Sequence, residues 1–152
     1  MKYTIAAVGK LKRGFYQDAC AHYLKRLNPY GTTRVVEVAV GKQAQTRQQD
    51  ESKALLTASS AEYQIALDER GKTLTSVQLA NAITQLENRA ISHVCLFIGG
   101  ADGHSDDLRS TCDALWRLSD LTLPHELARV VLLEQLYRAE TIRAGHPYHR
   151  EG

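Results

Sequence analysis

The chain has 152 residues, 43% of them hydrophobic, with 19 basic and 17 acidic residues and a formal net charge of only +2. This length supports one sizeable core, so we expect a single domain over residues 1–152. The small net charge excludes a protein that holds naked nucleic acid by charge alone, and we expect no DNA partner.

No segment of the sequence approaches the roughly 20 apolar residues needed to cross a membrane, and the apolar stretch near Met1 is too short for a secretory signal. The three cysteines, Cys20, Cys95 and Cys112, match no zinc-binding spacing. Isolated cysteines within apolar patterns are typical of core residues in a reducing compartment. We therefore expect a cytoplasmic protein that does not bind a membrane.

The first half of the chain alternates apolar runs with helical patterns. The run 3–9 predicts a buried strand, and apolar residues at steps of three and four predict a helix over Phe15–Leu27. The next predicted elements are a strand at Thr33–Val40, a mobile loop at 42–52, a short helix at 52–58, and a strand at Tyr63–Leu67 closed by a turn.

The second half continues the alternation. The pattern predicts a helix over 75–90 with Ser76 as its cap, a buried strand at 93–98, a helix over 105–116, an extended segment at 116–123 and a long helix after Pro124. Alternating strands and helices predict an α/β fold with one mainly parallel sheet and flanking helices. Ligands bind at the carboxyl ends of such strands, so 66–71, 97–103 and 118–124 are the candidate site segments.

A glycine-rich turn, IGGADG at 98–103, follows the clearest buried strand. Glycines leave the backbone uncovered, so the turn either contacts a ligand or is simply tight. It lacks the G-x-G-x-x-G order of dinucleotide-binding proteins and the lysine of a P-loop.

The long last helix carries apolar residues around most of its circumference. Either the other helices cover it on all sides, or a second subunit covers one side in a symmetric dimer. The residues concerned are Leu127, Ala128, Val130, Val131, Leu132, Leu133, Leu136 and Tyr137.

The final segment, GHPYHREG, concentrates side chains suited to proton transfer and anion binding. His146 and His149 are its only pair with metal-ligand spacing, and no other ligand lies nearby in the sequence, so we expect no metal. From the residues alone, a disordered end is the simplest alternative.

Taken in order, AAVGKLK, YLKRL, LDERGK, LFIGGADG, LSDLTLPHELARVVLLEQLYRA and HPYHRE resemble the SPOUT-class methyltransferases. The chain is most similar to their family of ribosomal large-subunit pseudouridine N3-methyltransferases, designated H, and the resemblance runs from end to end. It implies a deep C-terminal trefoil knot over about 67–145, a tail at 146–152, and a homodimer packed through the knot. The segment at 42–52 is less basic than the family leads us to expect.

The resemblance also implies an S-adenosyl-L-methionine pocket at the three candidate segments. Apolar side chains would enclose adenine, and uncovered backbone would bind its edge and the ribose. Carried over by position, the cofactor-binding residues are Leu67, Gly100, Ser119, Asp120, Leu121, Thr122, Leu123 and Pro124.

The family acts on N3 of a pseudouridine in helix 69 of 23S rRNA on the assembled ribosome, which implies the ribosome as partner. We expect the tail to fold over the cofactor, with His149 or His146 as proton acceptor and Tyr148 against the base. Arg138 and Arg150 would meet RNA phosphate, so Arg138, Tyr148 and His149 are the catalytic candidates. Solvent as proton acceptor, and a non-catalytic ribosome-binding or RNA-binding module with the same fold, are the alternatives.

Overall fold

The computed structural model describes residues 1–150, which form a five-stranded sheet with helices on both faces. The strand order is β2-β1-β4-β3-β5, and all four neighbouring pairs are parallel, which confirms the predicted fold class. The strands are β1 (Lys2–Val8), β2 (Thr33–Val38), β3 (Tyr63–Thr73), β4 (His93–Ile98) and β5 (Ala114–Arg117). The helices are α1 (Phe15–Leu27), α2 (Arg47–Thr57), α3 (Ser76–Asn88), α4 (Asp106–Thr111) and α5 (His125–Arg143).

The core has two layers, one on each face of the sheet. The larger contains α1, α3 and α5 packed on β1, β3 and β4, with Ile5, Leu96 and Leu136 almost fully buried. The smaller packs Leu55 and Leu108, from α2 and α4, against Phe97 and the opposite face. A sheet covered on both faces explains why the central strands read as continuous apolar runs rather than alternating patterns.

Three predicted boundaries in the first half of the chain differ from the structure by more than one residue. β2 ends at Val38 rather than Val40, and a helix begins at Arg47 inside the predicted loop. β3 continues to Thr73 because the expected turn is an irregularity within the strand, between Leu67 and Lys72. A Cβ on Gly71 would lie 2.5 Å from the backbone of Trp116, so only glycine permits this close crossing of β3 and β5.

The second half of the chain needs three corrections. Thr75, not Ser76, caps α3: its hydroxyl accepts from the Gln78 N–H while the Gln78 side chain accepts from the Thr75 N–H. The predicted helix over 105–116 stops at Thr111, since Ala114–Arg117 pairs with β3 as an edge strand. Beyond Arg117 the predicted extended segment is an irregular loop up to Pro124.

Candidate functional site

The three candidate segments meet at the carboxyl edge of the sheet around one cavity of about 720 Å³. All eight residues carried over by position line it: three leucines, one proline, one glycine and three polar residues. They are Leu67 after the first part of β3, Gly100 after β4, and Ser119, Asp120, Leu121, Thr122, Leu123 and Pro124 before α5. Parallel β3, β4 and β5 bring together residues that are far apart in the sequence.

The glycine turn is tightly packed on the side that faces the protein interior. A Cβ on Gly100 would lie 2.8 Å from Glu51 Oε1, and one on Gly99 would lie 3.2 Å from the His104 ring. The turn closes with a hydrogen bond from the Gly103 N–H to the Gly100 carbonyl at 3.0 Å, and Gly103 has a φ of +73°. The glycines therefore allow the turn to sit close to the interior while its backbone faces the cavity.

Glu51 and His104, buried behind this turn, were not identified from the sequence. Glu51 Oε2 accepts from the Gly41 N–H at 3.0 Å, and Oε1 has no hydrogen-bond partner within residues 1–150. Burial lowers the pKa of His104, whose Nε2 donates to the Phe97 carbonyl at 3.2 Å. The spacing of Glu51 and Leu55 on one helical face was the only signal in the sequence, and Glu51 lay in the segment 42–52, which was predicted to be a loop.

An ion pair borders the cavity beside Leu67. Arg109 Nε donates to Asp68 Oδ2 at 2.8 Å, and the Asp68 side chain is only 4% exposed. Burial alone would raise the pKa of Asp68, but hydrogen bonds from the Arg70 N–H and from Arg109 outweigh it and lower the pKa. Asp68 follows the predicted strand end directly, whereas nothing in the sequence marked Arg109 on α4.

Arg129 joins α5 to the ends of the first two strands. Its guanidinium donates to the Glu37 carboxylate at 2.5 Å and to the carbonyls of Val8 and Gly9. Burial would raise the pKa of Glu37, but its hydrogen bonds from Arg129 and Leu11 lower it. The neighbouring residue, Ala128, lines the cavity, so this contact fixes the start of α5 against the sheet.

The catalytic candidates come together along α5, outside the lining of the cavity. Arg138 binds Glu134 at 2.7 Å, and its Nη1 lies 3.1 Å from His149 Nδ1. The Tyr148 hydroxyl donates to Glu134 at 3.1 Å, and its ring packs 4.7 Å from that of Tyr137. This geometry brings together Arg138, Tyr148 and His149 but does not bring them to the cavity.

The hydrogen bonds determine which proton roles are open to the tail in this arrangement. A guanidinium can only donate, so His149 Nδ1 accepts from Arg138 and the proton of its neutral ring lies on Nε2. Burial and the Glu134 carboxylate raise the pKa of Tyr148, which keeps it a donor. His146 and Arg150 are exposed, and positions 151–152 of the predicted tail lie outside the described residues.

Neither a metal site nor a membrane-spanning helix is found in the part of the chain that the structure describes. Among residues 1–150, no group of three or more His, Cys, Asp or Glu side chains could hold a metal ion. Nor does that part of the chain contain a helix long and apolar enough to span a membrane.

Comparisons with known proteins match the whole chain. The family model described as predicted SPOUT methyltransferase matches residues 1–149. Ribosomal RNA large subunit methyltransferase H from Methylobacillus flagellatus is 42% identical over 156 residues, covering 99% of this chain and 100% of the relative. The protein of the same name from Gloeobacter violaceus is 43% identical over 152 residues, covering 98% and 99%.

Solved structures share the fold at low sequence identity. A probable methylase family protein from Haemophilus influenzae has a TM-score of 0.57 at 11% identity, covering 98% of this chain and 70% of that one. A putative methylase family protein from Neisseria gonorrhoeae has a TM-score of 0.53 at 13% identity, covering 99% and 86%. The chain belongs to the SPOUT methyltransferases and, among them, to the ribosomal RNA large subunit methyltransferase H family.

Proposed function

We propose that the protein methylates ribosomal RNA of the large subunit with S-adenosyl-L-methionine, at N3 of a pseudouridine in helix 69 of 23S rRNA on the assembled ribosome. The observation that carries this proposal is the convergence of all eight expected cofactor residues on one cavity in a SPOUT-family chain. The relatives' name supports large-subunit RNA as substrate. The pseudouridine, its N3 and helix 69 rest on the family resemblance.

The cavity suits an adenosine-type methyl donor in size and chemistry. Its volume of about 720 Å³ falls within the range of small-molecule sites. Leu67, Leu121 and Leu123 provide apolar surface for a flat base, and Leu121 is 78% exposed and therefore free to cover one. The uncovered backbone at Gly100 provides hydrogen-bonding groups for the edge of that base and for the ribose.

Bound S-adenosyl-L-methionine supplies an activated methyl group as a sulfonium, so the protein has to orient the nucleophile and remove a proton. The imide N3–H of pseudouridine is a poor nucleophile until it is deprotonated, and histidine is suited to accept that proton near neutral pH. His149 takes this role once it leaves Arg138, because its Nδ1 lone pair is engaged there. Tyr148 then contacts the base, and Arg138, His146 and Arg150 contact the RNA.

A homodimer is part of the proposal. Several apolar residues in the first half of α5 remain only half-buried within one subunit, among them Leu127, Val130 and Val131. A second copy packed on this surface would cover them and would place a second tail near the first subunit.

We also propose one domain over 1–152, knotted over about 67–145 and located in the cytoplasm. Support for the knot comes from family membership and from the placement of β5 beside β3, which returns the chain to the cavity before α5 begins.

The test uses purified protein, 70S ribosomes from cells that lack it, and S-adenosyl-L-methionine. Mass spectrometry of 23S rRNA nucleosides is expected to show new N3-methylpseudouridine. Thermal shift is expected to show stabilisation by S-adenosyl-L-methionine and none by NAD or ATP. Binding to the cofactor and to ribosomes without methyl transfer would instead identify a non-catalytic module and refute the proposed activity.

His149→Ala tests the proton acceptor. It should lower the methylation rate at saturating substrate while leaving cofactor affinity nearly unchanged, because His149 lies outside the cavity lining. His22→Ala is the matched control, since that exposed histidine on α1 lies outside both the cavity lining and the tail. Wild-type turnover in His149→Ala would exclude it as the base.

A further inference from the structure

Two loops at the carboxyl edge of the sheet carry a concentrated positive charge. The loop after β1, residues 9–14, and the segment after β2, residues 39–47, together form what we call the basic arc. They contain five cations and no carboxylate, whereas the whole chain has a formal net charge of only +2. The remainder of the chain is therefore net negative, and the charge is polarised. The five cations are Lys10, Lys12, Arg13, Lys42 and Arg47.

The two halves of the basic arc contact each other and α5. A Cβ on Gly9 would lie 3.5 Å from the Val40 side chain, which places the two loops side by side. Arg129 binds the Gly9 carbonyl from α5, one residue after cavity-lining Ala128. One side of the arc therefore borders the cavity at the start of α5.

The other end of the basic arc is attached to the glycine turn. Gln48 Nε2 donates to the Asp102 carbonyl at 2.7 Å, and Arg47 Nη1 lies 3.8 Å from the Asp102 carboxylate. Asp102 also lines the cavity. The arc is thus linked by contacts to two segments that line the cavity, the start of α5 and the glycine turn.

Four of the five cations of the basic arc have no ion-pair partner. They are exposed, and within residues 1–150 none of Lys10, Lys12, Arg13 and Lys42 has a carboxylate within 4.0 Å, whereas Arg47 pairs with Asp102. By contrast, the cations at the cavity wall, Arg109 and Arg117, are each paired with a carboxylate. Unpaired cations on loops beside a site are free to bind anionic groups of a large substrate.

We propose that the basic arc binds backbone phosphates of the RNA that flanks the target base, and so holds that base over the cavity. This inference rests on the proposed function for the identity of the RNA. Phosphate binding suits the arc because lysine and arginine neutralise phosphates without reading sequence. The arc is small, which agrees with a protein whose docking depends on a preformed ribosomal surface rather than on charge alone.

The test is binding of the full-length protein to 70S ribosomes by cosedimentation at several salt concentrations. The variant Lys12→Ala/Arg13→Ala/Lys42→Ala removes three of the four unpaired cations. It leaves Lys10, which follows Gly9 at the Arg129 contact, and Arg47, which pairs with Asp102. The control Lys2→Ala/Arg34→Ala/Arg89→Ala removes the same charge from the opposite edge of the sheet. Thermal shift with S-adenosyl-L-methionine and the oligomeric state are measured for each variant.

The arc variant is expected to bind ribosomes about tenfold more weakly, with a shallower salt dependence than the wild type, and the control less than twofold more weakly. Cofactor stabilisation and oligomeric state are expected to stay unchanged in both. Equal weakening in both variants, or a weakening that does not depend on salt, would overturn the proposal. So would an altered oligomeric state in the arc variant alone, which would make the arc an interface between copies of this chain. Ribosome binding is measured independently of methyl transfer. A wild-type protein that binds ribosomes through the basic arc but transfers no methyl group would therefore refute only the proposed function.

Discussion

Replacing Gly100 with alanine inserts one methyl group between the glycine turn and the side chain behind it. The new Cβ would lie 2.8 Å from Glu51 Oε1, 3.3 Å from Glu51 Cδ and 3.1 Å from Val8 Cγ1. Gly100 does not have a positive φ, so alanine is sterically, not conformationally, unfavourable there. Glu51 is only 2% exposed and is held by the Gly41 N–H, so it cannot retreat without breaking that hydrogen bond.

Overpacking of this kind costs about 1–3 kcal/mol. For a chain of this length, each 1 kcal/mol corresponds to roughly 2–4 °C in Tm. Gly100→Ala should therefore lower the free energy of unfolding, measured by urea denaturation, by about 1–3 kcal/mol. It should also weaken stabilisation by S-adenosyl-L-methionine, because the turn shifts towards the cavity.

A double-mutant cycle with Glu51→Ala separates the steric cause from any other. Removing the Glu51 side chain gives the new methyl group room, so Gly100→Ala should cost markedly less in the Glu51→Ala background. Gly103→Ala is the matched control: it meets no atom within 4 Å but has a φ of +73°, so its cost comes from backbone strain and should not depend on Glu51. Wild-type stability of Gly100→Ala, or additivity in the cycle, would refute the reasoning.

Three further substitutions test contacts around the site. Asp68→Asn should destabilise the protein at pH 7. The pKa of Asp68 is lower in the folded protein than in the unfolded chain, where it is about 3.9. The ionised carboxylate therefore contributes its full stabilisation above a pH of about 3.9, and this stabilisation is lost as the pH falls through the pKa of the folded state. Urea unfolding from pH 7 to pH 3 should show this difference shrinking, and a constant difference would contradict it. Thr75→Ala should cost about 1 kcal/mol through loss of the helix cap, and Thr75→Ser should retain most of the stability. Arg129→Met should cost about 1–3 kcal/mol in chemical unfolding by removing the guanidinium hydrogen bonds to Glu37 and to two strand-end carbonyls, and a cost below 1 kcal/mol would exclude Arg129 as a structural link.

Much of the fold was predictable because its signals are local. α1 was predicted with both ends correct, and β4 was recognised by its apolar run before two glycines. Errors arose where pairing with a distant segment decided the structure. Ala114–Arg117 resembles the end of a helix in sequence, but pairing with β3 makes it a strand, and Gly71 resembles a turn residue although it allows two strands to cross.

The residues of the candidate site fall into the same two groups, those with a local sequence signal and those brought there by packing of distant segments. Its cavity-lining residues could be named because each follows a recognisable strand or precedes a helix, and the family resemblance aligned them. Glu51 and Arg109 could not be named, since neither has a local pattern that links it to Gly100 or Asp68. They reach the site only through the packing of α2 and α4 on the sheet.

The tail shows what the sequence by itself determined and what only the tertiary structure decided. Composition and order determined that Tyr148 and His149 are chemically able to bind a base and take a proton, because those capacities belong to the side chains. Tertiary structure decided that Arg138 occupies the Nδ1 lone pair of His149 and that Glu134 keeps Tyr148 a donor. The availability of a proton-accepting atom depends on its nearest neighbours, and these are set by how the tail packs on α5.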